Sequence, residues 1–407
     1  MLYQAIEAHY ASLAPARMTA RLMHQMLTHP WLPHSYTTPG RAAAAFFELF
    51  DRAAQNRRKP AFGLDLVEID GKPTAIEPVV VAEKPFCHLL HFARDLKRAH
   101  DDPRVLVVAP MSGHHATLLR GTVETLLPKH DVYITDWIDA RMVPLAQGGF
   151  DLADYIDYVI DFLRVLGPGT HVMAVCQPSP PVLAAAAIMA AMRDPAAPAS
   201  ITLMGGPVDT RVNPTAVNRM GTSQELAWFE RKVIDSVPPH YPGAMRRVYP
   251  GFLQLGGFMS MNPERHVTSH IEFFHHLVQG DGESAAAHRR FYDEYLSVMD
   301  LSADFYLDTI RHVFQEHSLP EGKFTHRGEK VVPAAIEQTA LMTIEGELDD
   351  ISGLGQTKAA HGLCTRIPNA RRRHFEQEGV GHYGIFNGRK WRQFIYPAWA
   401  EFVRGLR

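Results

Sequence analysis

The chain has 407 residues, 46% hydrophobic and 21% charged, with a formal net charge of −3, enough for one large domain with an insertion or for two domains. Such a charge balance carries no electrostatic footprint for nucleic acid, and three cysteines, Cys87, Cys176 and Cys364, are too few and odd in number for a disulfide framework. No His or Cys spacing suits a metal, no glycine-rich phosphate loop is present, and the longest apolar run, Val182 to Met192, is too short to span a bilayer.

The start, Met1 to His9, lacks a basic segment followed by an apolar one, which predicts no secretory signal and a protein kept in a reducing interior. Residues 1–60 read as an N-terminal helical arm, broken at Thr28-His29-Pro30-Trp31-Leu32-Pro33 and resuming from about Arg41 to Ala54. Phe62 to Ile69 and Thr74 to Ala82, joined by Asp70-Gly71-Lys72, predict a hairpin, with a further strand near Phe86 to Phe92. From Arg104 strands and helices alternate: Val105 to Ala109, Thr117 to Leu127, Val132 to Thr135, Leu152 to Leu166, Val172 to Val175, Pro181 to Met192, Ser200 to Met204. This alternation predicts a parallel sheet with crossover helices. Over 205–333 it gives way to helical stretches, Glu225 to Val237, His266 to Val278 and Ala285 to His317, which read as a helical cap inserted into a core of 61–204 and 334–407. The sheet resumes at Thr339 to Glu345, and Trp391 to Arg407 closes the chain as a helix.

The stretch Val172-Met173-Ala174-Val175-Cys176-Gln177-Pro178 has the shape of a nucleophile elbow, a strand running into a helix through a sharp turn that exposes the nucleophile. Ala174 and Pro178 stand where glycines usually flank such a residue, and Pro178 costs little in a first helical turn. The helix N-terminus directs positive partial charge at Cys176, which suits an attacking sulfur. Ser179 is the nearest other hydroxyl. Downstream, Gly346-Glu347-Leu348-Asp349-Asp350 puts acids at a strand end, with Asp349 favoured by Gly-x-x-Asp spacing and Asp350 its rival, and Gly381-His382-Tyr383-Gly384 puts a histidine on a glycine-flanked loop. The order nucleophile, acid, histidine predicts an α/β-hydrolase fold with Cys176, Asp349 and His382 as triad. Its oxyanion hole would use the N–H of Gln177 and that of Ser112 or Met111 in the loop after the strand at 105. His114 and His115 in that loop read as packing or rim residues, and Trp228, Phe258, Phe273 and Tyr306 as aromatics lining an apolar channel under the cap.

The elbow Val175-Cys176-Gln177-Pro178, the strand end Tyr133-Ile134-Thr135-Asp136-Trp137, the acid segment Glu345 to Ile351 and the Gly381-His382-Tyr383-Gly384 loop together resemble the intracellular polyhydroxyalkanoate (polyhydroxybutyrate) depolymerases over nearly the whole chain. The resemblance implies hydrolysis of amorphous poly(3-hydroxybutyrate) to oligomers or monomers, with Cys176 as nucleophile, His382 as base and Asp349 as its partner. It also implies a cytoplasmic protein on polyester granules, needing no cofactor and no metal, and compatible with a homo-oligomer. Related polyester synthases share a Cys-His-Asp set but carry glycines after the cysteine, where this chain has Pro178 and Ser179. A synthase-like acyltransferase and a non-catalytic granule-binding protein remain open as alternatives.

Overall fold

The computed structural model describes residues 2–96, 101–261 and 263–406; Met1 and Arg407, which the expected arm and closing helix included, lie outside the described residues. The arm is a pair of helices, α1 (Leu2–Leu27) and α2 (Thr38–Ala53). α2 begins earlier than expected because the Thr37 side chain accepts from Gly40 N and Pro39 suits the first turn. The hairpin is β1 (Leu66–Ile69) and β2 (Lys72–Lys84), turning through Asp70 and Gly71 at φ 50° and 73°. A two-residue hairpin turn needs both central residues left-handed, and Asp-Gly supplies them.

β3 (Cys87–Arg94), β4 (Arg104–Val108), β5 (Asp131–Trp137), β6 (His171–Val175), β7 (Ser200–Met204), β8 (Ala340–Gly346) and β9 (Arg372–Gln377) complete a nine-stranded sheet. Its order is β1-β2-β3-β5-β4-β6-β7-β8-β9. β1 to β3 pair antiparallel, β3 pairs antiparallel with β5, and every pair from β5 to β9 is parallel. β6, β7 and β8 are buried at every residue, as in a sheet covered on both faces. Among the covering helices are α3 (Arg120–Leu126), α4 (Leu152–Leu166) and α5 (Ser179–Ala191). α5 is apolar all round and buried over most of its length, which its alanines allow by bringing the backbone close to the sheet. β9 is a strand that the sequence reading left unassigned. Its Arg-Arg-His-Phe-Glu-Gln composition follows from being an edge strand, only half buried and without apolar alternation.

Between β7 and β8 the chain leaves the sheet and forms α6 (Ala216–Thr222), α7 (Leu226–Lys232), α8 (Gly251–Met261), α9 (Pro263–Gln279), α10 (Gly282–Tyr295) and α11 (Ala303–Thr309). The single helix expected from Ala285 to His317 is thus broken, with Leu301–Ser302 pairing instead with Arg247–Tyr249. Bonds to the core and within the insertion outweigh helix continuity at this point. Asp300 N donates to Asp139 Oδ1 at 3.2 Å, Ala140 N donates to Asp300 O at 3.0 Å, and Asp300 Oδ1 accepts from Gly251 N at 2.9 Å. The arm docks on this insertion: Arg289 pairs with Glu48 and Arg52 with Asp293, each at 2.6 Å, and Tyr3 Oη donates to Asp300 Oδ2 at 2.8 Å.

Candidate active site

β6 ends at Val175 and α5 begins at Ser179, so the chain must reverse within three residues, and Cys176 carries the turn at φ 68°. A left-handed non-glycine residue costs about 1–2 kcal/mol. Hydrogen bonds hold it there, with Cys176 N donating to Met204 O at 2.7 Å and Ser179 N to Cys176 O at 3.0 Å. Space comes from the end of β7: a Cβ on Gly206 would lie 1.9 Å from Ser179 Oγ and 2.7 Å from Cys176 O. A Cβ on Gly205, at φ 54°, would approach Asp349 Oδ2 to 3.1 Å and His382 Cε1 to 3.4 Å. Both glycines lie beyond the boundary drawn at residue 205, yet they shape the site rather than the insertion. Their signal in the sequence is a Gly-Gly pair directly after an apolar strand. Ser179 is fully buried and is no part of the cavity lining.

The acid turn after β8 is stitched to the segment after β9, with Leu348 N donating to Val380 O at 2.9 Å and Glu347 N to Gln377 O at 3.1 Å. This brings Asp349 Oδ2 to 2.8 Å from His382 Nδ1, with both residues buried. The other oxygen, Oδ1, accepts from Ile351 N at 2.9 Å and Ser352 N at 2.8 Å, so the carboxylate has one orientation. Asp350 is exposed and lines a neighbouring polar cavity instead. The His382 ring and the Cys176 side chain line the same cavity, near enough for the sulfur to act on the imidazole. Burial alone would push the imidazole down, but the charges and hydrogen bonds of Asp349 and Cys176 reverse this and hold it well above the usual histidine range.

In the loop after β4, Met111 N already donates to Gln177 Oε1 at 3.2 Å, which removes Met111 from the pair of alternatives. The N–H groups of Ser112 and Gln177 make no hydrogen bond among the described residues, and both residues line the same cavity as Cys176. The insertion holds this loop: Met299 N donates to Gly113 O at 2.7 Å, His114 Nε2 lies 3.0 Å from Tyr295 O, and Gln254 Nε2 donates to Ser112 O. Burial lowers His114 to about 4, and burial followed by the Lys59 charge lowers His115 to about 3, so both rings are neutral packing groups.

Cys176, Gln177, Ser112 and His382 open into an apolar cavity of about 270 Å³. Phe258, Phe305 and Tyr306 line it, joined by Phe229, Tyr249 and Phe314, which the sequence reading did not select. Tyr249 and Tyr306 stack at 4.0 Å between ring centroids. Trp228 is no part of the lining; it is half-exposed and packs edge-on against Phe229, its inward neighbour one helical step along. Phe273 is likewise elsewhere, stacked on His288 at 4.2 Å beside a second, polar cavity of about 830 Å³. Among the described residues no group of three or more His, Cys, Asp and Glu side chains could hold a metal ion, and no helix is long and apolar enough to cross a membrane.

A mostly parallel sheet with this strand order, an elbow after β6, an acid after β8 and a histidine after β9 make the chain an α/β-hydrolase-fold protein. Residues 205–406 match the family described as PHB de-polymerase C-terminus, and through this C-terminal half the chain belongs to that family. No curated protein sequence matches the chain. Solved structures similar to it include a monoacylglycerol lipase of Paleococcus ferrophilus, at 13% identity and TM-score 0.45, covering 75% of this chain and 95% of the lipase. Another is 2-hydroxy-6-oxo-6-phenylhexa-2,4-dienoate hydrolase from Rhodococcus sp. strain RHA1, at 12% identity and TM-score 0.42, covering 81% of this chain and all (100%) of that one. A thermophilic esterase from Thermogutta terrifontis is similar at 13% identity and TM-score 0.41, with 81% of this chain and 98% of the esterase covered.

Proposed function

We propose that the protein hydrolyses ester bonds of amorphous poly(3-hydroxybutyrate) on granules inside the cell, using Cys176, His382 and Asp349. The observation that carries this reading is the His382 ring itself, 2.8 Å from Asp349 through Nδ1 and sharing with Cys176 the wall of an apolar cavity. The thiol gives its proton to His382 Nε2 and the sulfur bonds to the ester carbonyl carbon, whose oxygen becomes an oxyanion facing the Gln177 and Ser112 N–H groups. Collapse expels the alcohol oxygen, which takes the proton from His382 and leaves a 3-hydroxyacyl thioester on Cys176. Water then gives its proton to His382 and attacks the thioester, and collapse returns the thiol and frees the acid. Asp349 keeps the ring in the tautomer that makes both transfers possible. The substrate assignment is supported by the family match over residues 205–406 and by the apolar lining of the cavity, which suits a mobile polyester segment.

Incubation of the purified protein with amorphous granules, with product analysis by mass, tests the reading: soluble 3-hydroxybutyrate and its oligomers are expected, and none with Cys176→Ala. Polymer and free coenzyme A formed from 3-hydroxybutyryl-coenzyme A would instead make it an acyltransferase.

A further inference from the structure

His382, Tyr383, Phe258 and Ile351 line both cavities, whereas Cys176 lines the apolar one alone. On the ester-hydrolysis reading, on which this inference rests, the acyl group bonded to sulfur occupies the apolar cavity. The departing oxygen must face the ring that protonates it, so the leaving fragment lies on the histidine side. That side is the polar cavity of about 830 Å³, where Arg265, Arg389 and Lys390 stand against Glu272 and Asp350. Lys390 is already engaged, donating to Glu378 O at 2.8 Å. Among the described residues no carboxylate is within ion-pair distance of Arg265 or Arg389. Tyr295 and Tyr383 line the same polar cavity as Arg265, and Tyr383 stands where the two cavities meet. A polyester is neutral along its interior and carries charge only at its carboxyl end. That end belongs to the fragment leaving with the alcohol oxygen.

We propose that the polar cavity is a binding site for the free carboxylate of the departing 3-hydroxyalkanoate fragment, with Arg265 as its cation and Tyr295 and Tyr383 as hydrogen-bond donors, so that the ester bonds nearest the carboxyl end of a chain are cut first. Arg265 is the cation on which the selectivity depends.

The test compares the native chain with Arg265→Ala and Arg265→Lys in two measurements. One is calorimetric binding of 3-hydroxybutyrate against its methyl ester. The other is kcat/KM on a linear 3-hydroxybutyrate trimer with a free or a methyl-esterified carboxyl end. The native chain is expected to favour the anion and the free-ended trimer by about tenfold or more, releasing monomer first. That ratio should fall towards one in Arg265→Ala and recover in part in Arg265→Lys, a pattern that a merely structural role for the arginine would not produce. Equal binding of acid and ester by the native chain, or an unchanged ratio in Arg265→Ala, overturns the inference. Anion-selective binding that is lost in Arg265→Ala supports the carboxylate site even where neither trimer is cut, a result that counts instead against ester hydrolysis.

Discussion

At Cys176 backbone strain and the proposed chemistry fall on one residue: the positive φ that turns strand into helix also puts the residue in the lining of the apolar cavity with His382. Cys176→Ala is expected to abolish ester turnover while changing stability by less than about 1 kcal/mol, since it removes one sulfur and keeps the Cβ. Product assay alongside thermal unfolding checks this. Cys176→Ser should also lose most activity, because a hydroxyl is far harder to deprotonate than a thiol. The two adjacent acids are separated by geometry, one bonded to the ring at 2.8 Å and the other exposed. Asp349→Asn should therefore lower kcat by about 10³ or more through loss of the tautomer, and Asp350→Asn by less than about tenfold. Steady-state kinetics on a soluble ester decide it, and the reverse ranking would move the acid one residue along.

The insertion is tied to the loop after β4 by backbone and side-chain bonds, Met299 to Gly113, His114 to Tyr295 and Gln254 to Ser112, so one element supplies the roof of the cavity and, in the proposed mechanism, the placement of an oxyanion donor. Gln254→Ala should lower kcat about tenfold with KM within about threefold, since loosening Ser112 weakens an interaction made mainly in the transition state. A rise in KM alone would assign Gln254 to substrate binding. The aromatics divide the same way. Phe258→Ala and Tyr306→Ala should impair granule degradation far more than hydrolysis of a small soluble ester, because only a long chain uses remote contacts. Trp228→Ala should change neither by much, and Phe273→Ala should cost about 3–5 kcal/mol of stability, read by denaturant unfolding, because its ring is 1% exposed.

The whole molecule is pinned where its three parts meet. Tyr3 from the arm donates to Asp300 of the insertion, and Asp300 N donates to Asp139 of the core, beside Arg141, which pairs with Asp139 at 2.8 Å. Burial, with the Asp300 charge second, pushes Asp139 up to about 7, and burial raises Asp300 as well. Folding then binds a proton that an unfolded carboxylate releases near pH 4, so this cluster favours the fold most below about pH 4 and progressively less up to about pH 7. In Asp139→Asn that decline should shrink. The Tm of the native chain minus that of Asp139→Asn is expected to fall between pH 4 and 7 and then level off. A difference independent of pH would show that the pair is already neutral or fully compensated.

What the sequence by itself determined was local. The alternation from Val105 to Met204, the Asp-Gly hairpin, the elbow at Cys176 and the glycine-flanked His382 depend on periodicity and turn chemistry within a few residues, and these appear in the structure where the sequence put them or within a few residues. Only the tertiary structure decided which groups face one another. Asp349 meets His382 across 33 residues and Gln254 meets Ser112 across 142, distances over which no periodic pattern carries information. The exclusion of Met111 as donor, the role of Gly205 and Gly206, the edge strand β9 and the choice of Phe229 over Trp228 are all outcomes of that packing. Each turns on which way one side chain or N–H points, and that is set by the partner across the fold rather than by the neighbours in the chain.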